Sequence, residues 1–155
     1  MRRPIKKRAG LEGDTKYGSV LVSTLINKIM QQGKKTVARS IVYGALEDVE
    51  KQLKKPALEI LAQVIDNAGP QVELKSKRVG GANYQVPHEV HGERKTLLAF
   101  RWIIDAARKA KGKSMRVKLG TEFMNTYNNT GTAIKKKTDT HKMAEANKAF
   151  AHFAW

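Results

Sequence analysis

The sequence of 155 residues contains no cysteine, and this absence excludes disulfide bonds and thiolate metal sites. No run of 18 apolar residues occurs, and the basic N-terminus is not followed by the apolar core of a signal peptide. A membrane-spanning or secretory segment is therefore not expected. Acidic residues are also scarce, since Asp and Glu number 14 against 30 Lys and Arg. These absences together predict a soluble, intracellular protein.

The excess of positive charge is the dominant feature of the composition. Hydrophobic residues make up 41% of the chain, which is too many for a wholly disordered polycation, and the length suits one domain. A compact domain with a net charge of +16 repels itself, so a polyanionic partner is expected. Nucleic acid is the leading candidate. An anionic membrane surface is the second, and the lack of apolar runs argues against it.

Residues 1–18 are predicted to form a basic N-terminal arm that binds RNA, followed by a single helical domain over 19–155. Three glycines interrupt any periodicity in this stretch, and five cations surround Pro4. The cations are Arg2, Arg3, Lys6, Lys7 and Arg8. A solvated tail is the alternative interpretation.

Three helices are predicted in the first half of the domain. The first lies between Ser19 and Gly33, the second is capped by Thr36, and the third ends at Gly69-Pro70. The predicted apolar stripe of the second helix is Val37, Ile41, Ala45, Val49 and Leu53. Acidic residues gather in the second and third helices, so this region is expected to face away from phosphate.

The period of the pattern then changes from helical to alternating, which predicts a β-hairpin over about 72–87. Gly80-Gly81 can supply the positive φ angles of its turn. An isolated hairpin is only marginally stable in water, so we expect a partner to order it. Tyr84, beside the turn, is a better exposed candidate for base stacking than Trp102.

Three more helices are predicted after the hairpin. The fourth follows Gly92 and runs to about Lys109, the fifth begins near Ser114, and the last is alanine-rich. The predicted stripe of the last helix is Met143, Ala146, Phe150 and Phe153. The fold is thus predicted to be mainly α, with a bundle-like body of six helices, a hairpin arm between the third and fourth, and the basic N-terminal extension.

Two motifs for catalysis or metal binding come close and fail. Gly112-Lys113-Ser114 matches the end of a phosphate-binding loop, but Ala107 stands where its first glycine is required and a helix precedes it. His88 and His91 are one residue too close for the zinc protease motif and lie between Pro87 and Gly92. We therefore predict no enzyme activity, no metal and no cofactor.

The stretch from Arg94 to Lys118 holds nine basic residues and only one acidic residue, Asp105. Within it, Arg94, Arg101 and Arg108 are spaced so that they share one helix face. A run so one-sided repels itself unless phosphates neutralise it. Trp102 could stack on a base, although core packing is the favoured interpretation for this residue.

Several blocks, in order and spread over nearly the whole chain, resemble the family of bacterial small-subunit ribosomal protein seven. The blocks are Gly33-Lys34-Lys35 with Ser40-Ile41-Val42-Tyr43, Val72 to Val86, Arg101-Trp102-Ile103 with Ala106-Ala107-Arg108-Lys109, Lys113-Ser114-Met115, Lys135-Lys136, and His141 to His152. Residues 88–92 and 120–130 depart from the family pattern.

The resemblance implies a cytoplasmic protein of the small ribosomal subunit that binds the 3′ major domain of small-subunit ribosomal RNA and nucleates assembly of the head. It implies that the hairpin and the C-terminal region lie near the exit-site tRNA and the mRNA path. The implied protein neighbours are small-subunit proteins nine, eleven and thirteen, without homo-oligomers or membrane contact. Some members of the family also repress translation of their own messenger.

Charge and resemblance together predict a set of RNA-binding residues. They are Arg2, Arg3, Lys6, Lys7, Arg8, Lys34, Lys35, Lys75, Lys77, Arg78, Tyr84, Arg94, Lys95, Arg101, Arg108, Lys109, Lys113, Arg116, Lys135, Lys136 and Lys142. Two alternatives remain open at this point. A DNA-binding architectural protein would need a dimer seam, which is not evident, and an RNA-modifying enzyme would need a catalytic constellation, which was not found.

Overall fold

The computed structural model describes residues 10–153. Its elements in chain order are α1 (Val20–Ile29), α2 (Lys35–Leu53), α3 (Ala57–Ala68), β1 (Val72–Val79), β2 (Ala82–Glu89), α4 (Gly92–Lys109), α5 (Met115–Tyr127), α6 (Gly131–Ala146) and a terminal 3₁₀ helix (Lys148–Phe153). The mainly helical body and the position of the hairpin between α3 and α4 confirm the predicted fold class.

The core lies between α1, α2, α3, α4 and α5, and the buried residues of α4 form a large part of it. Phe100 and Ile103 of α4 are fully buried, as are Leu25 of α1 and Phe123 of α5. Because α4 is apolar around most of its circumference, only a narrow strip of the helix remains for charged residues. Trp102 is 7% exposed, which confirms the core interpretation for this side chain.

The predicted stripe of α2 is confirmed except at its start, and its predicted cap is wrong. Ala45 and Val49 are buried, and Ile41 and Leu53 pack against the core. Residues spaced four apart drift about 40° per step around a helix of 3.6 residues per turn. Val37, at the start of the stripe, is therefore 53% exposed. Thr36 does not cap the helix, because the turn at Gln32 and Gly33 starts α2 at Lys35, with Lys34 in the cap position.

The predicted stripe of the last helix is also wrong. Met143 is 50% exposed and Ala146 is exposed, whereas Ala133 and Ala144 are the buried residues of α6. The reason is that α6 ends at Ala146, and the chain continues as a separate 3₁₀ helix that turns towards the hairpin.

The two strands form an antiparallel hairpin with Val79 opposite Ala82 and Val72 opposite Glu89. Gly80 and Gly81 both have positive φ, 58° and 89°, as the predicted tight turn requires. The hairpin is not isolated, because α6 and the terminal 3₁₀ helix pack against it. The body of the protein therefore supplies contacts that a free hairpin would lack.

Candidate nucleic-acid interface

The exposed strip of α4 carries the arginines that the sequence placed on one face. Arg94, Arg101 and Arg108 line a common surface cavity of about 320 Å³ together with Lys28 of α1. Asp105, half-buried, is the one carboxylate in this lining. From Leu98 to Ala107, α4 is buried except at Arg101 and Asp105, so packing of the core fixes the direction of these cations. We call Lys28, Arg94, Arg101 and Arg108 the α4 cationic face.

The cations of this face differ in how far they are already neutralised. Arg94 donates hydrogen bonds of 2.7 and 3.1 Å to Oε2 of Glu73. Burial acts to raise the pKa of Glu73, but Arg94 and Lys75 outweigh it and hold that pKa below its ordinary value. Within residues 10–153, Arg101 and Arg108 have no ion pair or hydrogen bond through their guanidinium groups and are exposed. These two are the cations of the face most available to phosphate.

The turn between α1 and α2 adds a second group of cations. Lys34 and Lys35 are exposed, and the turn that presents them is closed by a hydrogen bond of 2.8 Å from the backbone N–H of Lys35 to the carbonyl of Gly33. Lys34 and Arg108 line one cavity, so this turn continues the α4 cationic face. Two predicted sites that are far apart in sequence are thus brought together.

A third group surrounds the turn between α4 and α5. Lys109 and Lys113 line a cavity of about 440 Å³ that lies beside the start of α6. Glu122, at its inner end, accepts a hydrogen bond of 3.0 Å from the backbone N–H of Ala133, and burial raises the pKa of this carboxyl group. The lysines were predicted as RNA contacts, and the structure places them apart from Arg101.

The hairpin carries cations with different surroundings. Arg78 is exposed near the turn, and Lys75 lies 3.4 Å from Oε1 of Glu73. Lys77 donates a hydrogen bond of 2.9 Å to the carbonyl of Phe153.

Tyr84 is better exposed than Trp102, as expected, but neighbouring rings cover part of it. Its ring is half-buried, with centroid distances of 5.0 Å to Phe150 and 5.5 Å to Phe153. These two rings belong to the terminal 3₁₀ helix, which packs along β2. Tyr84 therefore joins the hairpin to the end of the chain, and base stacking by this residue stays a prediction.

Two predicted RNA contacts are paired with carboxylates instead. Arg116 donates hydrogen bonds of 2.6 and 2.8 Å to the two oxygens of Asp48 on α2. Lys95 donates one of 3.1 Å to Asp66 on α3. Both are thus neutralised by carboxylates of α2 and α3, the helices that the sequence expected to face away from phosphate, so their predicted RNA contact gains no support from this placement.

Some basic residues of α6 are exposed to solvent, and others contact the body of the protein. Lys135 and Lys142 are exposed, and the ammonium group of Lys136 lies 6.0 Å from the centre of the Trp102 ring. Lys137, which was not among the predicted contacts, turns inward and donates a hydrogen bond of 2.7 Å to the carbonyl of Asn67. Burial lowers the pKa of Lys137, and the charge of Lys95 lowers it further.

The predicted N-terminal arm divides at the edge of the described residues. Arg2, Arg3, Lys6, Lys7 and Arg8 lie outside them. Residues 14–18 form a turn held on α2, where Asp14 accepts a hydrogen bond from Tyr43 and Lys16 pairs with Glu47. RNA binding by the arm stays a prediction.

Sequence reasoning missed Lys28, which only the packing of α1 against α4 brings beside Arg101. The sequence shows that Lys28 lies outside the apolar stripe of α1. It does not show which helix packs beside Lys28. Among residues 10–153, no three His, Asp or Glu side chains are grouped as a metal ion would require. In the same range, no helix is long and apolar enough to cross a bilayer.

These features define a class: basic helical proteins with a hairpin and segregated cationic and acidic sides, suited to bind a polyanion. The family model described as ribosomal protein S7p/S5e matches residues 1–148. Small ribosomal subunit protein uS7 of Thermotoga neapolitana is 55% identical over the full length of both chains, and that of Thermosipho africanus is 56% identical, also over both full lengths. The protein of the same name from Chloroflexus aggregans is 53% identical over 98% of this chain and 97% of its own.

The chain belongs to the ribosomal protein S7p/S5e family. It is therefore a structural constituent of the small ribosomal subunit and not an enzyme. The predicted resemblance is confirmed over the whole chain, and ribosomal RNA follows as its polyanionic partner.

Proposed function

We propose that the chain binds the 3′ major domain of small-subunit ribosomal RNA through the α4 cationic face and the adjoining turn at Lys34 and Lys35. The observation that carries this proposal is the position of Arg101 and Arg108. Both are exposed and, within residues 10–153, unpaired, at the centre of a surface that also holds Lys28. Arg presents a planar fork of donors that suits phosphate, and phosphate contacts supply most of the affinity of such interfaces.

The opposite side of the molecule supports the same orientation. Asp48 holds Arg116 and Glu47 holds Lys16, so these two cations are neutralised internally. Phosphates approaching α2 near Glu47 and Asp48 would meet carboxylates, whereas on α4 the one carboxylate in the cavity is Asp105. This separation of charge favours binding of RNA by one side of the protein and leaves the other free of it.

The finer roles that we propose are those that the resemblance to the family implies. They concern head assembly, the hairpin and the C-terminal region. We propose that RNA binding by the body nucleates assembly of the head of the subunit. The hairpin, with Arg78 near its turn, would reach the exit-site tRNA and the mRNA path. Small-subunit proteins nine, eleven and thirteen are the proposed neighbours, and binding of the same surface to the protein's own messenger would repress its translation.

Binding of the full chain to a transcript of the 3′ major domain tests the proposal, with a transcript of the 5′ domain of similar length as the control. We expect tighter binding to the 3′ major domain at physiological salt. If about six to ten phosphates are contacted, affinity should fall on the order of a thousandfold or more between about 50 and 200 mM salt. Equal affinity for both transcripts, or a nearly flat dependence on salt, would contradict the proposal.

A further inference from the structure

A cavity of about 330 Å³ opens where α1, α2, α4 and α5 meet, and its lining differs from that of the α4 cationic face. The floor is apolar and includes Met30, Val37 and Ile41. Val37 is an apolar residue of α2, yet 53% of its surface is exposed. An apolar floor of this kind favours contact with a flat apolar group. A phosphate group has no such apolar surface.

The rim of the same cavity is polar and positively charged. Gln32, Lys34 and Arg108 line the cavity, and none of its lining residues is acidic. Side-chain amides can donate to and accept from the edge of a base, while Lys and Arg bind phosphate. Arg108 also lines the cavity of the α4 cationic face, so the two surfaces are continuous.

We propose that this cavity takes a single unstacked base of the ribosomal RNA that binds the α4 cationic face. The base would lie against Val37 and Met30, with its edge at the glutamine amide and its flanking phosphates at Lys34 and Arg108. Proteins that accept an extruded base use this combination of apolar contact with its face and hydrogen bonds to its edge. The inference rests on the proposed RNA binding and adds a contact that depends on a base rather than on charge.

A substitution that adds positive charge separates this inference from a purely electrostatic surface. Val37→Lys should strengthen binding if only phosphates approach the cavity, but it should weaken binding if a base must lie on the floor. Val117→Lys is the matched control, because Val117 is an apolar residue on the outer side of α5 with a similar exposure of 41%. Both positions are exposed, so both variants are expected to fold, and thermal unfolding checks this.

The experiment measures binding of the full chain to the 3′ major domain transcript and maps the complex with base-specific chemical modification. We expect Val37→Lys to lower affinity about tenfold while Val117→Lys leaves it unchanged or raises it, since the apolar contact between Val37 and the base is lost. One base should be protected from modification by the wild-type chain and by Val117→Lys, and should become reactive with Val37→Lys.

Equal affinity and equal protection for the two variants would overturn the inference. Normal RNA binding by Val37→Lys together with poor incorporation into subunits would also overturn it, because the occupant would then be an apolar side chain of a neighbouring protein. These outcomes differ from a failure of the proposed function, in which the wild-type chain itself would not bind the transcript in a salt-dependent way.

Discussion

The hydroxyl group of Tyr43 donates a hydrogen bond of 2.6 Å to Oδ2 of Asp14, which lies 29 residues earlier in the chain. Backbone N–H groups of Lys16 and Tyr17 donate to the same oxygen. Asp14 is 6% exposed, so these donors replace the water that its carboxylate gives up. The contact fixes the segment before α1 on α2.

Replacing Tyr43 with Phe should lower the free energy of unfolding by about 1–2 kcal/mol at neutral pH, because a buried carboxylate loses one donor. Burial acts to raise the pKa of Asp14, but Tyr43 and the backbone donors outweigh it and lower the pKa below 3.8. A carboxyl group with a lowered pKa stabilises the folded state at pH values above its ordinary pKa. This stabilisation is lost as the pH falls through the pKa of the folded state. The difference between the variant and the wild type should therefore shrink in acid.

Urea unfolding at a series of pH values measures this difference, and Tyr127→Phe is the control. The hydroxyl group of Tyr127 accepts a hydrogen bond of 2.8 Å from an exposed lysine, Lys55, so its loss should cost less than about 1 kcal/mol. Equal losses for the two variants at neutral pH would show that the contact with Asp14 has no special weight.

Glu122 is predicted to stabilise the start of α6 through its oxygen rather than its charge. Its carboxylate accepts the N–H of Ala133, and burial raises its pKa above 4.5. A carboxyl group with a raised pKa stabilises the folded state at pH values below its ordinary pKa. This stabilisation is lost as the pH rises through the pKa of the folded state. Glu122→Gln keeps an acceptor without the charge and should be at least as stable as the wild type at neutral pH.

Glu122→Ala is the companion variant, and it should lose about 1–3 kcal/mol because the buried N–H of Ala133 is left without an acceptor. Urea unfolding above and below pH 4.5 distinguishes the three proteins. The wild type should lose stability between these conditions in a way that Glu122→Gln does not. If Gln and Ala were equally damaging at neutral pH, the charge itself would be required.

Deletion of the hairpin tip, Val79 to Asn83, should leave helical content and binding to the RNA transcript nearly unchanged. The tip lies beyond the level at which Tyr84 and Lys77 contact the terminal 3₁₀ helix, so the base of the hairpin keeps its packing. We expect reconstituted subunits to lose retention of exit-site tRNA and to make more reading-frame errors, because an arm reaches ligands that the body cannot. Unchanged values for both, in fully assembled subunits, would limit the tip to a structural role.

Local features of the sequence predicted local structure well. The bounds of α4 and the shared face of Arg94, Arg101 and Arg108 follow from Gly92 and from spacing along one helix. The exposure of Val37 at the start of the predicted α2 stripe has an equally local cause, since a strict four-residue spacing drifts around the helix and omits buried residues such as Val42.

Contacts between distant parts of the chain were not predictable in this way. Nothing near Tyr84 in the sequence indicates that Phe150 and Phe153 cover its ring, and nothing near Arg116 indicates that Asp48 neutralises it. The candidate interface was therefore predicted as a set of cations, while the structure sorts them into available and internally paired ones. Only tertiary packing makes that distinction.

The central claim is that the α4 cationic face binds ribosomal RNA, and the comparison of Arg101→Ala with Arg116→Ala tests it most directly. Binding to the 3′ major domain transcript is measured at several salt concentrations and expressed per folded molecule. Arg101→Ala should lower affinity about tenfold and reduce the slope of log affinity against log salt by about one, because one phosphate contact is lost. Arg116→Ala should leave both nearly unchanged, since Asp48 already holds that guanidinium group. Equal effects of the two substitutions, or normal binding by Arg101→Ala, would contradict the account.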